Sequence, residues 1–324
     1  MNSSSEIEKI LEHASKAPSG HNTQPWKFLI QQNKIEIHPD FKRALPVVDS
    51  DNHALYISLG CAVENAVLGA KNYGFSSNIE IAKNKEGTEF IILNLKKDKT
   101  VEADELFDQI DRRQVTRNEY SSTVIPPEEI KKLMNSFDFK GVHVLTFTKP
   151  EDIDELEPFI IEGSNRQFQN KDFVDELVSW IRFSKKEVEQ KRDGIWHASM
   201  GMPSAGRFFG NIIMKKFVSA KSEAKRWKKQ VDASAGFVLF TVEKNDVEHW
   251  VNLGMAFQRF GLTATKLNIS HAHVNMPCEE LPVRKKMAAH FGLKNQHPLL
   301  LIRFGCSEKM PYSYRRGVKD LITE

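Results

Sequence analysis

The strongest constraint on how this chain can fold is a pair of long, almost wholly apolar helical segments far apart in the sequence. The first covers about residues 53–73 and the second about 247–267. In the first, Leu55, Leu59, Ala62, Val63, Ala66, Val67 and Ala70 leave little polar face, so the helix is expected at the centre of the fold. The two can be laid over each other: Leu59, Gly60, Ala62, Leu68 and Ala70 recur as Leu253, Gly254, Ala256, Leu262 and Ala264, and Tyr56 corresponds to Trp250. One ends at Gly74 and the other at Asn268, residue types that tolerate left-handed backbone. Small residues at matched positions permit close helix–helix approach. Any buried amphipathic helix shows some such matches by chance. Here each helix is also preceded by strand-like sequence and followed by a further strand, which favours internal duplication.

Around these helices the chain alternates. Ser5 and Glu8 read as a capping box opening a helix with Ile7, Ile10, Leu11 and Ala14 on one face. Strands are expected near 27–30, 34–38, 90–95, 142–147, 237–242 and 299–304, with a turn at Asn33. A helix is expected from about Ala103 towards Arg112. Pro126, Pro127, Glu128 and Glu129 begin another, with proline and acids in its first turn. Helical patterns fill about 151–191, interrupted near Pro158 and Asn170. A loop rich in Gly, Met, Ser and Pro follows at 194–206, and a basic segment at 215–229.

Charge and cysteine usage narrow the class. Lys and Arg number 46 against 43 Asp and Glu, a net charge of +3, which argues against a dedicated nucleic-acid binder. Cys61, Cys278 and Cys306 are odd in number, widely spaced and free of any CxxC pairing, so neither a disulfide framework nor a zinc ribbon is expected. No apolar run approaches membrane-spanning length, and the first residues lack the basic-then-apolar pattern of a signal peptide. A soluble protein of a reducing cytoplasm is the expectation, with no membrane or nucleic-acid partner.

The segment richest in chemistry is 17–28, Ala-Pro-Ser-Gly-His-Asn-Thr-Gln-Pro-Trp-Lys-Phe, a helix–loop–strand junction. Pro18 and Pro25 fix the backbone and remove donors. Ser19, Asn22 and Gln24 each offer hydrogen-bonding groups beside Trp26. On composition alone, an ordered loop whose polar residues cap helix ends explains it as well as a ligand site does. The pattern Pro-Ser-x-x-Asn-x-Gln-Pro-Trp, complete here, resembles the flavin-contacting loop of the FMN-dependent nitroreductase family. The helix pattern Gly-x-Ala-x-x-(Asn/Gln)-x-x-Leu-x-Ala is similar to that family's dimer-interface helix. A chain with two such units resembles the two-copy, Acg-like branch, in which one polypeptide imitates the homodimer. The resemblance implies an α+β, nitroreductase-like fold of two pseudo-repeats, each a central sheet flanked by helices. It divides the chain into 1–110, carrying the flavin-ring loop, and 111–324, carrying the phosphate-binding arginines.

Carried over by position, the resemblance implies that Pro18, Ser19, Gly20, His21, Asn22 and Gln24 contact the flavin. It likewise implies that Arg112, Arg113, Thr116 and Arg117, with Arg315 and Arg316, contact the FMN phosphate. Gln114 occupies the slot where relatives place a serine. An Arg-Arg pair taken alone is more often a solvated surface. The first copy has no such opening, and the second lacks a full loop, Gly201 to Gly206 being at most a remnant, so one flavin site is expected rather than two. Residues 194–230 could form a lid over it or simply pack on their own domain. His271 and His273 with Cys278 offer a weak metal pattern without a carboxylate partner, and no metal is expected.

The function this resemblance implies is an FMN-dependent oxidoreductase, passing electrons from NAD(P)H to a small acceptor such as a nitroaromatic or quinone. The flavin would carry the chemistry, with no separate catalytic side chain. The alternative is a flavin-sequestering protein with little turnover, and a third reading keeps the fold as a scaffold without flavin. The unit expected is a pseudo-dimeric monomer, open to further dimerisation.

Overall fold

The computed structural model describes residues 3–121, 123–204, 206, 207, 210 and 219–323. The first half runs α1 (Ser3–Ala14), β1 (Trp26–Gln31), β2 (Lys34–Pro39), α2 (His53–Asn72), β3 (Phe75–Lys83) and β4 (Glu89–Lys97). The second half begins with α3 (Pro127–Met134) and β5 (Val142–Phe147). A long excursion follows: α4 (Pro150–Gln169), α5 (Lys171–Trp180), β6 (Ile181–Arg182), α6 (Lys185–Lys191), β7 (Ile195–Trp196) and α7 (Ala220–Asp232). The half closes with β8 (Gly236–Val242), α8 (Val247–Lys266), β9 (Ser270–His273), α9 (Met276–Glu279), α10 (Leu281–His290) and β10 (His297–Gly305), and β11 (Ile322–Thr323) ends the chain.

The two halves repeat one topology. The first sheet has the order β11-β1-β2-β4-β3 and the second β5-β8-β10-β9. Within each half the four strands therefore lie in the order first, second, fourth, third, all antiparallel. A long helix connects the second strand to the third in both. What differs is the first connection: a tight turn at Gln32 and Asn33 in one half, the excursion through α4–α7 in the other. The fold is α+β with two pseudo-repeats, and the duplication rests on strand order as well as on helix sequence.

The helices α2 and α8 pack against each other as equivalents. A Cβ on Gly60 would stand 3.0 Å from the Cα of Gly254 and overlap the carbonyl oxygen of Val251. A Cβ on Gly254 would stand 2.9 Å from the Cα of Gly60 and overlap the carbonyl oxygen of Ile57. Alongside, Gln258 Nε2 donates to Asn65 Oδ1 (2.6 Å), and Arg259 pairs with the buried Glu64 (2.9 Å) and with Asp104 (3.1 Å). One apolar core runs through this seam, joining Trp26, Phe28, Ile57 and Leu59 to Val251, Leu253, Phe257 and Phe260. Gly74 (φ 71°) and Asn268 (φ 56°) terminate the two helices in left-handed backbone, as their residue types lead one to expect.

Several local expectations are corrected. The first helix already includes Ser3, so Ser5 lies inside it and caps nothing. Where a helix was expected near 103–112 there is only a 3₁₀ turn at Phe107–Gln109, because Leu106 and Ile110 dock with Leu68 and Leu262 and Asp104 is drawn to Arg259. Pro158 does not interrupt α4: it is exposed, and the carbonyl it leaves unbonded, on the exposed Asp154, is open to water. Asn170 does mark a break, its side chain accepting from Asp172 N to start α5. The counterpart of loop 15–25 in the second half is the short segment 135–141 between α3 and β5, not residues 201–206. The last strand leaves the second half, pairing in parallel with β1 (Phe28 with Ile322). No helix among the described residues is long and apolar enough to cross a membrane.

Candidate functional site

Loop 18–24 leaves α1 with unusual backbone. His21, Asn22 and Gln24 all have positive φ (48°, 56° and 54°), a conformation that costs non-glycine residues free energy and needs compensation from its surroundings. The compensation is visible. Ser19 Oγ accepts from Gln24 N (2.9 Å). Asn22 Nδ2 donates to the carbonyls of Gly194 (3.0 Å) and Tyr314 (3.1 Å). Gln24, fully buried, donates to Arg192 O (2.9 Å) and accepts from Arg316 N (2.8 Å). The loop is thus stitched to the excursion and to the C-terminal tail.

Above it lies a cavity of about 220 Å³ between the halves. The first half contributes Pro18, Ser19, Gly20, His21 and Asn22. The second contributes Arg113, Gln114, Val115, Arg117, Ile195, His273, Asn275, Glu279 and the tail residues Pro311, Tyr312, Ser313 and Arg315. A larger hollow of about 860 Å³ lies on the open face of α4, but it is shallow and lined by Asp154, Glu157 and Glu162, with no convergent buried donors.

The cavity is cationic on one side. Arg113 is buried, with its Nε and one Nη unpartnered, and Arg315 Nε is also unpartnered. Burial, with Arg113 and Arg117 alongside, pulls Arg315 down to about 9, and burial draws Arg113 down to about 10. Among the described residues none of these three arginines is in an ion pair. Three histidines stand near them. Burial, reinforced by Arg117, lowers His21 to about 4; burial, then nearby arginine charge, lowers His271 and His273 to about 3. On another wall Glu279 accepts from Gln167 Nε2 (2.7 Å) and Asn275 Nδ2 (3.2 Å), and burial raises its carboxyl above the ordinary range. Unpartnered, buried guanidinium donors favour an anion with several acceptor oxygens.

Of the twelve residues singled out in sequence, Pro18, Ser19, Gly20, His21, Asn22, Arg113, Arg117 and Arg315 converge on this cavity. Four stand off it. Gln24 lies beneath the loop. Arg112 is exposed, its Nη1 on Gln109 Oε1 (3.3 Å). Thr116 is buried against Gln114 (3.3 Å). Arg316 donates from its side chain to Asp320 O (3.0 Å). Residues missed in sequence include His273, Asn275 and Glu279, brought in by β9 and α9; the paired histidines were the one visible signal there. The segment 194–230, read in sequence as either a lid or an excursion packed on its own domain, includes residues outside those described (205, 208, 209 and 211–218), and Ile195 lines the cavity.

Asp49, Asp51 and His53 lie close enough to share a cation, but the geometry has a simpler reading. Both Asp49 oxygens accept from the start of α2 (Ala54 N 2.9 Å, Leu55 N 2.8 Å), and His53 Nδ1 faces the two carboxylates. This is a helix start. The cysteines are free, as expected.

The model of the nitroreductase family matches residues 3–49, which include the whole motif loop. Solved structures similar to the chain include two nitroreductases. A nitroreductase with bound FMN from Bacteroides fragilis is 13% identical, covering 65% of this chain and 96% of that one, with a TM-score of 0.37. An FMN-dependent nitroreductase from Mycobacterium smegmatis in complex with NADPH is 12% identical, covering 65% and 94%, with a TM-score of 0.42. Along nearly its full length the chain is 22% identical to a Mycobacterium tuberculosis (strain H37Rv) protein whose name proposes an NAD(P)H nitroreductase, covering 98% of this chain and 90% of the relative. The chain is thus similar to the nitroreductase family over its motif loop, and to this mycobacterial relative along nearly its whole length.

Proposed function

We propose that the protein is an FMN-binding oxidoreductase that takes electrons from NAD(P)H and delivers them to a small acceptor such as a nitroaromatic or quinone. The observation that carries this reading is the set of buried, unpartnered guanidinium donors on Arg113 and Arg315, facing the motif loop across one cavity. A phosphate-bearing ligand fits that donor set, because its oxygens would satisfy N–H groups that cost free energy while bare. Arg113, Arg117 and Arg315 would hold the phosphate, and Ser19, Gly20 and His21 would form the opposite wall. FMN, when bound, supplies the redox chemistry. The void of about 220 Å³ is below the roughly 300–1,000 Å³ usual for small-molecule sites, so a ligand of FMN's size would extend beyond it, past the exposed Pro311 and Tyr312.

The family and the mycobacterial relative's name support NAD(P)H as donor. The visible spectrum of protein loaded with FMN, recorded before and after anaerobic addition of NAD(P)H, tests the reading: bleaching supports turnover. A second reading, flavin sequestration, is favoured by the tail latched over the cavity through Asn22 and Gln24. Bands that resist NAD(P)H and bleach only with dithionite support that reading instead.

A further inference from the structure

Asn22 belongs to the motif through which the family resemblance assigns contacts to the flavin. Its amide is already occupied. Both Nδ2 hydrogens are used, on Gly194 O (3.0 Å) and Tyr314 O (3.1 Å), while Oδ1 accepts from Arg315 Nη1 (2.7 Å). The orientation is unambiguous chemically, since two carbonyls need the NH₂ and a guanidinium needs the oxygen. No N–H remains for a ligand.

The beneficiary is Arg315. Its backbone carbonyl is gripped by Arg192 Nε (2.8 Å), and the next residue's N–H by Gln24 Oε1 (2.8 Å). Its guanidinium sits in the cavity beside Arg113 and Arg117, where like charges repel and Nε has no partner. Left alone, such a group would turn towards water. Apart from Asn22 Oδ1, the acceptor that holds its Nη1 is the carbonyl of Tyr314, at 3.2 Å.

We propose that Asn22 is a positioning residue that works through Arg315, holding its guanidinium in the cavity so that the phosphate end of a ligand meets a fixed donor. The proposal rests on the reading of this cavity as a phosphate-binding site and adds that the motif asparagine sets selectivity for phosphorylated over unphosphorylated flavin.

The test compares FMN with riboflavin, which lacks the phosphate, by quenching of flavin fluorescence on the full-length apoprotein. Asn22→Gly removes the amide while tolerating the positive φ of 56°. Asn22→Asp, as a second variant, keeps the acceptor for Arg315 Nη1 but loses both Nδ2 donations and pairs a carboxylate with Arg315, cancelling its charge. Each should weaken FMN binding about tenfold, the worth of one charge-assisted hydrogen bond, and leave riboflavin within twofold. Asn22→Gly combined with Arg315→Ala should bind FMN no worse than Arg315→Ala alone. Equal losses for FMN and riboflavin, or additive losses in the double variant, would overturn the proposal in favour of direct contact. A wild-type protein that binds FMN no tighter than riboflavin would instead remove the phosphate site itself.

Discussion

Gly60 and Gly254 meet across the axis that relates the two halves, each leaving room for the other's backbone and no room for a side chain. Reciprocity is what gives this contact its meaning. Gly60 faces the carbonyl of Val251 and Gly254 that of Ile57, each three residues before its glycine. Duplicated helices packed about a local twofold produce this reciprocity, which chance similarity between two apolar helices does not explain.

Gly254→Ala should therefore be costly although it adds one methyl group. The helices must separate along a seam that also holds the Gln258–Asn65 and Arg259–Glu64 contacts. A loss of roughly 2–3 kcal/mol is expected from overpacking, read as a lowered urea midpoint at constant slope. Gly206→Ala, whose added methyl meets no atom within 4 Å among the described residues, should change stability by less than about 0.5 kcal/mol. Equal effects at the two positions would refute the tight seam.

The arginines divide by position. Arg315→Ala or Arg113→Ala should weaken FMN binding by about ten- to a hundredfold, because each removes a charged donor from the cavity. Arg112→Ala should change it less than threefold, since that side chain is exposed and turned to Gln109. Isothermal titration distinguishes them. A larger loss for Arg112 would mean that loading rearranges the start of the second half.

Acid should destabilise the protein earlier than carboxylate protonation alone would. His21, His271 and His273 have folded values near 4, 3 and 3, below the ordinary 6.5. Between those values and 6.5 the unfolded chain binds protons that the folded protein excludes. Stability from these groups is complete above pH 6.5 and falls as pH drops, by up to about 1.4 kcal/mol per pH unit for each histidine. Denaturation midpoints measured at pH 7.5, 6.0 and 5.0 should decline steadily. A flat profile would contradict their neutral burial.

The excursion is clamped to the first half by charge. Asp193 bridges the buried Arg182 (2.7 Å) and Arg43, while Glu176 accepts from Val47 N (3.0 Å) and Val48 N (3.1 Å). Asp193→Ala would leave two cations without their partner, a change that costs about 3–5 kcal/mol for buried pairs. Hydrogen exchange should accelerate across residues 171–200 while the seam between α2 and α8 stays protected. Unchanged exchange in the excursion would show that its apolar contacts suffice.

Much of this was legible in the sequence for an identifiable reason. Periodicity and capping chemistry are local, so α2 and α8, their left-handed ends at Gly74 and Asn268, and strands such as Val142–Phe147 could be read directly. The motif loop was recognisable because its prolines and amides are rare in that combination. Failures came where distant partners overrode local preference: Leu106 and Ile110 gave up a helix to dock on Leu68 and Leu262.

The site shows the same division. The sequence by itself determined which residues carry useful chemistry, since a guanidinium, an amide or an imidazole has its donors wherever it lies. Only the tertiary structure decided which of them face one another. It brought His273 and Glu279 into the cavity on elements without a motif, turned Arg112 outward, and engaged Asn22 and Gln24 in holding the tail. Burial and mutual proximity, which decide whether a charge is solvated, paired or left seeking an anion, are properties of the packed chain and have no local signature.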